Sequence, residues 1–211
     1  MNVPGRCDWR LIFLGAVAAS MAHAASVSVT VKSADGAVAA GAIVVFDPLD
    51  TPAPPRQIPA PVPIDQIKKQ FVPLVTVVRT GTTIKFPNSD QIHHQVYSYS
   101  PAKPNFERDL YAGSTSASEV FDKPGLVVLG CNIHDKMLAF VGVVDSPYFA
   151  KTSATGTAAF DLPPGRYTVS AWHPERGSVR KRPVIVADAP ANETLVLDLP
   201  AGFDPQTAWP E

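Results

Sequence analysis

LGCNIHDKMLAF, residues 129–140, sets Cys131, His134 and Met137 three residues apart between two apolar runs, GLVVLG (125–130) and LAFVGVV (138–144). Short Val-rich runs bounded by Gly, Asp and Pro read as β-strands rather than helices. A thiol, an imidazole and a thioether therefore share one turn between two strands.

Working outward, the same pattern recurs: LVTVV (74–78), a turn at Gly81, TTIKF (82–86), HQVYSYS (94–100) and SEVF (118–121), with residues 101–117 reading as a polar loop. Upstream, SVSVTVKS (26–33) alternates Val27, Val29 and Val31 with polar residues, as a half-buried strand does. Asp35-Gly36 supplies a turn and AGAIVVF (40–46) a second strand, which together predict a hairpin. Residues 47–63, DPLDTPAPPRQIPAPVP, hold seven of the 22 prolines. Proline cannot donate to a sheet ladder, so this stretch predicts a stiff extended connector. The expected class is all-β.

Arg6 and Arg10, the apolar run LIFLGAVAA (11–19) and the small residues Ala22 and Ala24 predict a secretory signal peptide over 1–24, hence a periplasmic mature chain with no membrane insertion after cleavage. Removing it shifts the formal net charge from −1 to −2, a balance that offers nucleic acid nothing. Cys7 leaves with the leader, so Cys131 is the one mature cysteine. An oxidising compartment favours paired cysteines, and a single one calls for a reason. No nucleophile–base set or carboxylate pair stands out, so the sequence does not read as an enzyme. His173, in AWHPERG, reads as a turn or packing residue, and Arg176, Arg180, Lys181 and Arg182 as a solvated strand face.

FVPLVTVVRTGTTIKFPN (71–88), HQV (94–96) and CNIHDKM (131–137) together resemble a cupredoxin, the blue-copper Greek-key β-sandwich of the plastocyanin kind. Two imidazoles, a thiolate and a weak axial thioether suit both copper oxidation states. The resemblance implies a mononuclear Cu(I)/Cu(II) site made by His94, Cys131, His134 and Met137. His93 and His94 are neighbours on a strand and face opposite ways, so one of them reaches a shared site. Cupredoxins place that ligand before an amide residue and a valine, six residues after an Asn; His94, with Gln95, Val96 and Asn88, fits this pattern. Two departures stand out. The step from His134 to Met137 is shorter than in plastocyanin-like proteins, and Gln95 stands where an Asn commonly ties the two ligand loops, a task Asn88 could share. A binuclear copper centre would need a second mature cysteine, and closed zinc sites do not use Met.

ADGAVAAGAIVVF (34–46) and KTSATGTAAFDLPPGRYTVSAWHP (151–174) resemble the two ends of a carboxypeptidase-regulatory or transthyretin-like β-domain. The expected organisation is signal peptide 1–24, first hairpin 25–48, connector 49–65, cupredoxin-like domain 66–148, remainder of a second small β-sandwich 149–203 and tail 204–211, with the copper domain inserted into the flanking one. The alternative gives AIVVF to the cupredoxin sheet. As a whole the chain is similar to periplasmic cupredoxin-like proteins of the methylamine-utilisation type. That implies single-electron carriage between protein redox partners; the alternative is copper delivery to an acceptor, or an accessory role in maturing a periplasmic enzyme.

Overall fold

The computed structural model describes residues 25–33, 35–50, 54–55, 57, 59–110, 112, 117–174, 177–187 and 193–199. The expected signal peptide and the 204–211 tail lie outside them, as do Arg176 and the residues from 200 to 203. Among the described residues all regular structure is β. The strands are β1 (Ala25–Ser33), β2 (Ile43–Pro48), β3 (Val62–Pro63), β4 (Asp65–Gln66), β5 (Phe71–Val72), β6 (Val75–Arg79), β7 (Thr82–Phe86), β8 (His94–Ser98), β9 (Phe106–Leu110), β10 (Ala117–Phe121), β11 (Gly125–Gly130), β12 (Leu138–Val144), β13 (Tyr148–Lys151), β14 (Thr157–Leu162), β15 (Gly165–His173), β16 (Gly177–Val186) and β17 (Glu193–Leu199).

They form two sandwiches. The first stacks a β14-β1-β17 sheet on a β13-β2-β15-β16 sheet. Val27, Val29 and Val31 of β1 point inward, as their alternation predicts, against Phe46, Phe160 and Tyr167; Phe46 meets Phe160 edge-on at 4.8 Å. The second stacks β10-β7-β3 on β6-β12-β11-β8-β9, with Ile84, Phe86, Phe121, Val127 and Leu129 in its core. Here β12 pairs in parallel with β6 and β3 in parallel with β7, the crossing order of a Greek key. β2 pairs with β13 and β15 and with no strand of the second sandwich, so the chain leaves the first sandwich after β2 and re-enters it at β13.

Three expectations change. The β1–β2 hairpin does not form. The Asp35-Gly36 turn folds back only far enough for one bridge, Lys32 to Val38, and the chain then crosses through buried Ala39 and Ala42 to the opposite sheet. Two faces rich in Val must be buried against each other, and strands joined in one sheet cannot do that. The proline connector ends earlier than 65, because Val62 and Pro63 pair with β7 at a sheet edge, where a missing N–H is tolerated, and Ile64 is fully buried. The polar loop 101–117 contains β9, an edge strand. Only Phe106 and Leu110 reach the core; Arg108, on the same face, lies over the Phe106 ring and pairs with Glu119 at 2.6 Å, so charge hides the alternation.

The sandwiches meet through Ile43, Val45 and Trp172 from the first and Val75, Phe140 and Val144 from the second. Phe140 packs edge-on to Trp172 at 5.5 Å, and Lys151 donates across the junction to the Val75 carbonyl at 2.7 Å. Phe140→Ala is therefore expected to cost about 3–5 kcal/mol, as buried Phe→Ala changes do. Denaturant unfolding checks this, and a loss near the ~0.5 kcal/mol of surface sites would show that the junction contributes little.

Candidate metal centre

β8 and the β11–β12 loop position the site. β11 runs apolar to Gly130, which pairs with Tyr97 of β8, so Cys131 leaves the sheet directly beside the strand that begins with His94. A Cβ on Gly130 would fall 2.6 Å from the tip of the Tyr97 ring, so a larger residue there would have to displace that ring. The loop then closes on itself as the Met137 N–H donates to the His134 carbonyl at 2.9 Å, and β12 follows.

The donor atoms of His94, Cys131 and His134 all lie within 4.8 Å of one another. Cys131 Sγ is 3.9 Å from His134 Nδ1, and the two imidazole rings are 4.9 Å apart between centroids. Two donors bound about 2.0–2.3 Å from one ion sit at most roughly 4.5 Å apart. The cluster is thus close to bonding dimensions before any ion arrives. Cys131 and His94 are buried, and His134 is half-buried at the rim. Met137 is 2% exposed, packs in the same core as Cys131, and borders with it a hollow of about 360 Å³.

The two adjacent histidines differ in burial. His94 points inward with no exposed surface; His93 is 40% exposed and lies 3.5 Å from Asp109 on the outer side. His94 Nε2 meets Asp90 Oδ2 at 2.8 Å, whereas its Nδ1 is buried and has no hydrogen-bond partner among the described residues. A buried ring nitrogen without a partner costs free energy unless something accepts its lone pair. A cation between His94, Cys131 and His134 would do so, and the donor set of two imidazoles and a thiolate fits copper.

Asp90 was not among the residues singled out from sequence. Its carboxyl is held below the usual carboxylate range, first by the Lys69 N–H, then by the His94 ring and the Lys68 N–H, against the opposing push of burial. An ionised Asp90 accepts the hydrogen bond of the His94 Nε2–H, which leaves the Nδ1 lone pair pointing away from it. The signal in the sequence was thin: Asp90 stands four residues before His94 in the turn-rich NSDQI segment.

Gln95 ties β8 to the β11–β12 loop. Its Oε1 accepts from Asn132 Nδ2 at 2.6 Å and its Nε2 donates to Glu107 at 2.6 Å, so the extra methylene spans from β8 to the ligand loop. Asn88 does not share that task. Its Nδ2 donates to the Ile92 and Leu110 carbonyls, fastening the turn before His94 to β9. His173 is buried with Nε2 at 3.1 Å from the Ala40 carbonyl, far in sequence from the cluster and engaged in packing, and Lys181 lies 3.6 Å from Asp47.

No family model matches the chain, and no curated protein matches it significantly. Among solved structures it is similar to a reduced amicyanin mutant, at 19% identity and TM-score 0.36, over 39% of this chain and 81% of that one. It is also similar to a purple cupredoxin from Nitrosopumilus maritimus, at 23% identity and TM-score 0.35, over 41% of this chain and all of that one.

Proposed function

We propose that the second sandwich is a cupredoxin-like copper module that carries single electrons between protein partners, with His94, Cys131 and His134 as the strong ligands and Met137 as the axial one. The observation that carries this reading is the buried, partnerless Nδ1 of His94 within one three-residue donor cluster. Copper there would supply a one-electron couple, and no substrate bond is made or broken. The chain's part is to hold the donors. Asp90 fixes the His94 ring, Gln95 and Asn132 fasten the loop to β8, and the apolar core around Cys131 limits water. Donors already assembled, and mostly buried, suit a carrier that keeps its metal in both oxidation states better than a delivery protein that must release it. His134 at the rim gives partners their approach. Export to the periplasm, from the 1–24 pattern, belongs to the same reading, as does the flanking sandwich as a regulatory-like β-domain interrupted by the copper module.

The test is to add Cu(II) to the purified mature protein. One equivalent should bind and give an intense visible thiolate-to-copper band; a colourless protein without stoichiometric copper would sink the proposal. The role of Met137 has its own prediction. As an axial ligand, it should give opposite shifts in reduction potential on Met137→Gln, downward because an amide oxygen favours Cu(II), and Met137→Leu, upward because the donor is lost. If Met137 only packs, Met137→Leu should leave the potential alone and cost under about 1.5 kcal/mol of stability.

A further inference from the structure

The short β4–β5 hairpin lies at the end of the proline-rich stretch, outside the two ligand loops, yet it reaches the centre. Its tip is Ile67-Lys68-Lys69-Gln70, closed by reciprocal hydrogen bonds between Ile67 and Gln70 of 3.0 and 3.1 Å. Lys68 and Lys69 have φ of 55° and 60°. A two-residue turn with both central φ values positive matches the twist of a hairpin, but it is ordinarily built from Asn and Gly, because a longer side chain is strained there. Lysine at both positions therefore needs something to hold it.

What holds it is Asp90. The Lys68 N–H donates to Asp90 Oδ1 at 2.7 Å and the Lys69 N–H to Oδ2 at 2.8 Å, and that same Oδ2 meets His94 Nε2 at 2.8 Å. Consecutive backbone N–H groups turned to one side form a concavity that binds an anion. The hairpin is further fixed to the turn before His94: Asp65 accepts from the Ser89 N–H and hydroxyl, Gln66 bridges Asn88, and the Ser89 N–H donates to the Gln66 carbonyl.

We propose that the Lys68-Lys69 turn is a positioning device for the metal centre, a backbone clamp on Asp90 that sets the His94 ring with its free Nδ1 toward Cys131 and His134. The lysine side chains are not what acts; their N–H groups are. The proposal rests on the copper reading for its purpose but not for its test.

Two double variants separate backbone from charge, since each removes both lysine charges. Lys68→Asn with Lys69→Gly keeps a turn of positive φ. Lys68→Val with Lys69→Val places β-branched residues where they are most strained and should open it. In metal-free protein, imidazole ¹⁵N shifts should show His94 as a single Nε2–H tautomer in the wild type and the Asn–Gly variant, and as a mixture in the Val–Val variant. The Val–Val change should weaken Cu(II) binding by about 10–100-fold, the usual effect of losing an outer partner of a ligand, while the Asn–Gly change leaves it at the wild-type value. In an Asp90→Ala background, where the turn is intact but has nothing to hold, both pairs should give the same affinity. If Val–Val and Asn–Gly behave alike in tautomer and affinity, or still differ without Asp90, the clamp is wrong. Should the wild type bind no copper, the copper reading falls, and the tautomer comparison alone still decides the clamp.

Discussion

Replacing Cys131 by serine will abolish the visible band of the copper-loaded protein while leaving it folded. The thiolate is the only donor in the cluster that can give a low-energy charge transfer to copper, and a serine hydroxyl at neutral pH is neither ionised nor soft. The fold should survive because serine is nearly isosteric and Cys131 sits at the end of β11, where the sheet hydrogen bonds are already made. Some stability will go. The side chain is only 5% exposed, and His134 Nδ1 lies 3.9 Å from the sulfur, too far for a good bond to the shorter hydroxyl. A buried hydroxyl without a good partner costs about 1–3 kcal/mol. Visible absorption of the copper-titrated variant, read beside its thermal unfolding, gives both numbers. A variant that unfolds normally and keeps the band would remove the thiolate from the site.

How much of this could be read from the chain alone depends on the range of the interaction. Strand alternation is local, so Val27, Val29 and Val31 announced β1, and Gly130-Cys131 announced the end of β11. The cluster itself was legible for a related reason: its loop residues lie within four positions of one another, and only one of two adjacent histidines can face in. β9 escaped because Glu107, Arg108 and Asp109 interrupt the apolar pattern at a sheet edge, where an arginine can lie over Phe106 and still keep its charge in solvent. The β1–β2 hairpin was a fair local reading of Asp35-Gly36, overruled by the need to place β1 and β2 on opposing sheets. Asp90 and the Lys68-Lys69 turn are 21 and 22 residues apart, and nothing in a pair of lysines signals positive φ. That contact follows from how the hairpin docks, and sequence patterns carry no record of docking.

Substituting the two adjacent histidines should give opposite results. His94→Ala is expected to lose the visible band, because it removes a buried ring of the donor cluster whose Nδ1 has no partner among the described residues. The loss also leaves Asp90 with its two turn N–H donors but without its imidazole, and a hydrogen bond to a charged group contributes about 1.5–3 kcal/mol, so unfolding should come earlier as well. His93→Ala should keep the band and nearly all the stability. That ring is 40% exposed and lies 3.5 Å from Asp109, a surface contact of the kind that contributes about 0–1 kcal/mol. The two effects must be separated, since a misfolded His94→Ala protein would lose colour for the wrong reason. Adding imidazole does so: a small ligand can enter the space the ring vacated and restore a nitrogen donor, recovering some band if the fold and the other two donors are in place. Recovery with imidazole in His94→Ala, beside an unchanged His93→Ala spectrum, is the result the geometry requires. Loss of the band in His93→Ala alone would mean that β8 presents its other face to the metal.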